Sequence, residues 1–200
     1  MITDKKASQH SLTYVTVTAL LCLFTIGVSA FSGKNVQSDK AAERAAKIVE
    51  LRSVLHNEQL RKAEPERVYK AMEELGREKA DEAIPELIQL LTFEKQLGPD
   101  LGDFRITTPS ARYPAVSALY EIGESALPAL IEVIETQDED SVASQNALYS
   151  INAILVRKSP ADAINFLEGA AARSTSTKAA LRLSKAADKT KKLLTKKLIP

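Results

Sequence analysis

Tryptophan is absent, cysteine occurs once and histidine twice in a chain of 200 residues. The lone Cys22 lies inside an apolar N-terminal stretch and His10 lies at its edge, so a chain that loses the stretch keeps no cysteine and only His56. That excludes a disulfide framework, a thiolate nucleophile and a cysteine-based metal site, and leaves any metal site to carboxylates. No metal and no cofactor are expected. Aromatic residues are 5% of the chain, so the core must be built from Leu, Ile, Val and Ala, which suits thin layers of stacked helices. Glycine (7) and proline (8) are too few for a linker-dominated chain, and alternating β-branched runs are scarce after residue 31.

Reaction motifs are missing as well. There is no G-x-x-x-x-G-K phosphate loop, no G-x-S-x-G nucleophile turn and no spaced histidine cluster. Glu73-Glu74 and Asp138-Glu139-Asp140 are acidic runs that read as a solvated helix face and a turn. Binding is expected, not catalysis.

What is present begins with the N-terminus. Residues 7–33 carry no charged side chain, Lys5 and Lys6 precede them, and Val28-Ser29-Ala30 ends the apolar run with small residues. A basic start, an apolar middle and a small-residue end make a secretory signal. An uncleaved anchor is the rival, since about 20 helical residues span about 30 Å; four threonines within the run weaken it. Either reading places the body outside the cytoplasm, periplasmic or extracellular.

Further on, Ala83-Ile84-Pro85-Glu86-Leu87-Ile88-Gln89-Leu90-Leu91 returns 43 residues later as Ala126-Leu127-Pro128-Ala129-Leu130-Ile131-Glu132-Val133-Ile134. A period of that length marks a repeat of helix pairs. Each copy follows a helix of the form Ala71-Met72-x-x-Leu75-Gly76 or Ala118-Leu119-x-x-Ile122-Gly123, and Ala147-Leu148-x-x-Ile151-Asn152 begins a third. The glycines are expected to end their helices in the left-handed conformation. Asp81, Ser141 and Ser159 are expected caps, with Pro65 and Pro160 in first helical turns. The opening helix is expected from Lys40 to about Lys62, with Ile48, Val49 and Leu55 on one face. Phe93–Pro109, with two glycines and two prolines, reads as a long loop, and long loops on rigid scaffolds often carry function.

These residues resemble the HEAT-like repeat family, the group that also includes the repeats of phycobilisome lyases. The likeness rests on Leu75-Gly76, Ala83–Ile88 and Ile122–Ile131, with Arg112, Ala115 and Ala118-Leu119 fitting the family's first helix. The resemblance implies a two-layer stack of antiparallel helix pairs that buries each pair against the next. The expected fold is therefore all-α: a short HEAT-like α-solenoid preceded by an N-terminal signal or anchor helix. Its parts are residues 1–30 (signal or anchor), 31–37 (linker), 38–172 (repeats) and 173–200 (a basic amphipathic helix). The family's metal hydroxylases use His-Glu pairs, which this chain lacks, and export with few aromatics argues against tetrapyrrole chemistry. What the resemblance implies instead is capture of another protein.

Net charge is +1, yet residues 173–200 hold nine basic side chains and one acid, a net of +8, which with the +1 of residues 1–30 leaves residues 31–172 at −8. The basic segment forms a helix with an apolar stripe through Leu183, Ala187 and Thr190. Three roles are open to it: capping the repeats with its lysines on the acidic body, docking on an anionic membrane surface, or contacting a partner protein. Nucleic acid is not expected, because no aromatics interleave with the lysines. The candidate contacts are Lys185, Lys189, Lys192 and Lys196 on this helix and Phe104 and Arg105 in the long loop. The expected function is an exported, non-enzymatic protein-binding scaffold or adaptor, the alternative a structural protein held at a membrane surface by its basic helix.

Overall fold

The computed structural model describes residues 32–95, 108–156 and 159–198. Every regular element among them is helical, with no strand. The chain divides into two compact units, residues 1–46 and 47–200. The first adds only helical residues, 32–46, to the description. The N-terminal signal or anchor expected over residues 1–30 lies outside the described residues.

Helix α1 runs Ser32–His56 and α2 runs Glu58–Ala63. The helix thus includes residues 32–37, where composition predicts a linker, and it breaks at Asn57, where periodicity predicts continuity. The break has a local cause. Asn57 takes an extended conformation and its side chain accepts from the N–H groups of Gln59 and Leu60, at 3.0 and 3.1 Å, the bonding that makes asparagine a strong helix cap. Ile48, Val54 and Leu55 join the core, while Val49 is exposed.

The first repeat pairs α3 (Pro65–Arg77) with α4 (Ile84–Gln89). Pro65 occupies the first turn, and Val68, Ala71, Met72 and Leu75 are buried as their spacing predicts. Gly76 departs from expectation. It stays inside the helix, where a Cβ would stand 2.8 Å from the Ala118 Cα, so its missing side chain serves close helix approach. The left-handed residue is Lys79 (φ 49°). The Lys79 N–H donates to the Gly76 carbonyl and the Ala80 N–H to the Leu75 carbonyl, both at 3.0 Å, which is a Schellman ending with lysine where glycine usually sits. Asp81 does not cap α4 either: it opens a 3₁₀ turn, Asp81–Ala83, and Pro85 shapes the first turn of the helix.

The second repeat holds α5 (Pro109–Arg112), α6 (Pro114–Ile122) and, after a 3₁₀ turn, α7 (Leu127–Thr136). Pro109, predicted in the loop, is therefore helical. Pro114 disfavours helix at the residue before it, and Tyr113 is extended (φ −118°, ψ 99°), which splits the single first helix that the family resemblance implies through Arg112, Ala115 and Ala118-Leu119. Gly123 has φ 93° at the end of α6, as expected of a helix-ending glycine.

Next come α8 (Val142–Val156), α9 (Pro160–Arg173) and α10 (Thr177–Leu198). Ser141 and Ser159 cap as predicted, accepting from Ser144 and Ala161; α8 runs past Asn152. The first helices α3, α6 and α8 pack in series, and α4 packs on α7. After α7 the second layer changes: α10 packs on α7, and α9 packs on α8 and α10. The continuous core of Leu, Ile, Val and Ala is shared by all three pairs and α10.

Candidate functional site

A groove of about 930 Å³ opens where α5, α6, α8 and α10 meet. Its position follows from local chain geometry. The extended Tyr113 turns Ser110 and Arg112 to one end, and the packing of α8 on α6 lines Tyr149 and Asn152 up with Tyr113 and Tyr120. On the remaining wall Thr190 of α10 is buried and its hydroxyl donates to Asn152 Oδ1 at 3.1 Å. The Tyr149 and Ser110 hydroxyls are 3.4 Å apart. Beneath, the buried Asn146 amide donates to the Leu91 carbonyl at 2.7 Å, tying α8 to the chain just beyond α4.

The rim is apolar. Val142, Val156 and Leu193 are 44%, 37% and 56% exposed and all line the groove. Burying such side chains against a ligand gains on the order of 25 cal/mol per Å² of apolar surface.

At the groove's end Arg112 donates to Glu94 at 2.6 Å and lies 5.6 Å from the Tyr113 ring centroid. The hydrogen bond to Glu94 raises the Arg112 pKa further. The Lys95 N–H donates to the Arg112 carbonyl at 2.8 Å, so the chain on either side of residues 96–107 is held together. Phe104 and Arg105 fall in that interval and lie outside the described residues.

The predicted lysines separate. Lys185 donates to Glu139 at 2.8 Å and its pKa is raised by that bond. Lys191, which was not singled out by pattern, is raised likewise by Glu168 at 2.6 Å. Arg182 is bound most deeply, to the Glu135 carbonyl and to Asp138, at 2.7 and 2.8 Å. With Ala179, Leu183, Ala186 and Ala187 buried, α10 packs as a capping helix does. Lys189 instead lines the groove. Lys192 is exposed, and Lys196 lies in α10 with its side chain outside the described residues.

A second cluster joins Glu86 of α4 to the end of α1. Its Oε1 accepts from Arg52 at 2.6 and 3.0 Å and lies 3.5 Å from His56 Nε2. Its Oε2 is buried without a hydrogen-bond partner. Among the described residues no three His, Cys, Asp or Glu side chains converge to hold a metal ion, and no helix is long and apolar enough to cross a membrane.

A family model, the PBS lyase HEAT-like repeat, matches residues 111–136. That stretch is similar to a HEAT-like repeat. It contains Arg112, Tyr113, α6 and α7, so the matched stretch supplies one wall of the groove and a surface on which α10 packs. No curated protein and no solved structure matches the chain.

The groove's tyrosines were not legible as a site. Tyr113, Tyr120 and Tyr149 are scattered over two repeats, and only the packing of α6 on α8 brings them to one surface.

Proposed function

We propose that the chain is a non-enzymatic protein-binding module that seats its partner in the groove bounded by α6, α8 and α10. The supporting observation is the convergence of Val142, Val156 and Leu193 on one polar-floored depression: a mainly apolar and aromatic lining with a few placed hydrogen-bonding groups is the usual make-up of a binding cleft. The HEAT-like repeat on one wall fits this use. The apolar stretch within residues 1–30 makes the module an exported or membrane-anchored adaptor in this reading. Docking of α10 on an anionic membrane surface is the second reading. It draws on the exposed Lys192, but it has to work without Arg182, Lys185 and Lys191, which already bind the body.

The test is site-specific photo-crosslinking in an envelope extract. A photo-reactive residue replacing Leu193 should capture a discrete partner, whereas one replacing Leu181, equally exposed at 57% but outside the groove, should not. Equal capture at both positions, or none at 193, defeats the proposal.

A further inference from the structure

We infer that the groove takes a short extended segment of a partner protein that combines apolar and acidic side chains, with a carboxylate on Lys189. The inference rests on the protein-binding reading above and adds the chemistry of the bound segment.

Charge carries it. The groove has two cations in its lining and, among the described residues, no carboxylate. Arg112 is committed to Glu94. Lys189 is not committed: its neighbours on α10, Lys185 and Lys191, hold Glu139 and Glu168, whereas Lys189 has no ion-pair partner among the described residues. Lys189 also borders a small cleft beside it that holds Glu139, but Glu139 is bonded to Lys185; an ammonium with no ion pair of its own, in a groove lined by no acid, favours an anionic ligand group and disfavours a cationic one. A second donor is available in the same depression. The Thr190 hydroxyl occupies Asn152 Oδ1, and no described group accepts from the Asn152 amide nitrogen, so its N–H groups are left for a carboxylate or a peptide carbonyl.

The apolar rim sets the length. Val142 and Val156 stand at the two ends of α8, about 21 Å apart at about 1.5 Å per residue. About six extended residues, at about 3.3 Å each, cover that distance. Leu193 lies one helical turn from Lys189, so an apolar side chain and an acidic one of the same segment are read side by side.

The experiment is fluorescence polarisation on the full chain with a labelled seven-residue peptide of alternating leucine and glutamate. It should bind. Lys189→Glu should weaken it at least tenfold, while Lys192→Glu, on the exposed side of α10 outside the groove, should change it less than twofold. Both positions are on the surface, and circular dichroism checks that the variants stay helical. A leucine–lysine peptide that binds as well, an equal loss in the two variants, or no binding of the leucine–glutamate peptide overturns the inference. Capture at position 193 alongside any of these leaves the protein-binding reading standing and removes only the acidic chemistry. Failure of both experiments removes both.

Discussion

The first and second repeats carry one motif and use its residues in opposite ways. Gly76 and Gly123 hold the same place in the two copies. Gly76 is helical and lets α3 close on the backbone of α6, where a Cβ would meet the Ala118 Cα at 2.8 Å. Gly123 has open space around it and a φ of 93°. One glycine is needed for contact, the other for backbone conformation. The second helices differ in the same manner. Glu86 and Ala129 are equivalent in the nine-residue motif, but Glu86 faces α1 and receives Arg52, whereas Ala129 is partly buried against the hydrophobic core. A repeat motif therefore specifies where a residue sits along its helix. Its neighbour in the stack decides what the residue is for.

Substitutions at the two glycines and at Lys79 separate these roles, the largest effect at Gly76. Gly76→Ala should destabilise by about 3 kcal/mol, because the obstructing atoms are backbone and α3 must move away from α6. Gly123→Ala should cost about 1–2 kcal/mol, the strain of a side chain at positive φ. Urea unfolding separates them, and equal losses would mean that the two glycines do the same job after all. Lys79→Gly should have a smaller effect of the opposite sign, a gain of about 0.5–1 kcal/mol, since it places glycine at the left-handed position that lysine now occupies. No gain in melting temperature would show that Lys79 is not strained there.

The smallest effect is a pH dependence from the ion pairs that join α1 to the first repeat. Lys47 bonds Glu74 and Glu78 at 2.6 and 2.9 Å, which raises its pKa above 10.5 and lowers that of Glu74 below 4.5. A lowered carboxyl contributes stability above its unfolded pKa that is lost as pH falls. A raised ammonium contributes below its unfolded pKa and loses that contribution as pH rises through the folded value. The contribution is thus complete between 4.5 and 10.5 and fades outside that window. All three side chains are solvent-accessible, so the effect is slight. The difference in melting temperature between Lys47→Met and the parent chain should narrow as pH falls through 4.5. A difference independent of pH would be evidence against the ion pair.

Much of the fold was legible because burial at helical spacing is a local property. Val68, Met72 and Leu75, then Val116, Leu119 and Ile122, and Leu127, Leu130 and Ile134 are buried where a period of 3.6 puts them. The breaks that periodicity misses have local causes too small for it to register: the Asn57 cap, the extended residue before Pro114, the Schellman ending at Lys79. The site was less legible. Lys189 was one lysine among nine basic residues, and nothing in its surroundings along the chain distinguishes it from Lys185. The difference is that Glu139 stands opposite one and the groove opposite the other.

The sequence by itself determined an all-helical chain, its paired repeats, the composition of its core and the charge difference between body and tail, because each depends on residue type and on spacing within one helix. Tertiary structure decided which glycine bends and which one packs. It also decided that α10 packs on α7, which lysines are neutralised, and where tyrosines from two repeats and leucine from the last helix come together. Those outcomes depend on side chains meeting across helices far apart in sequence, and a contact of that kind has no period along the chain.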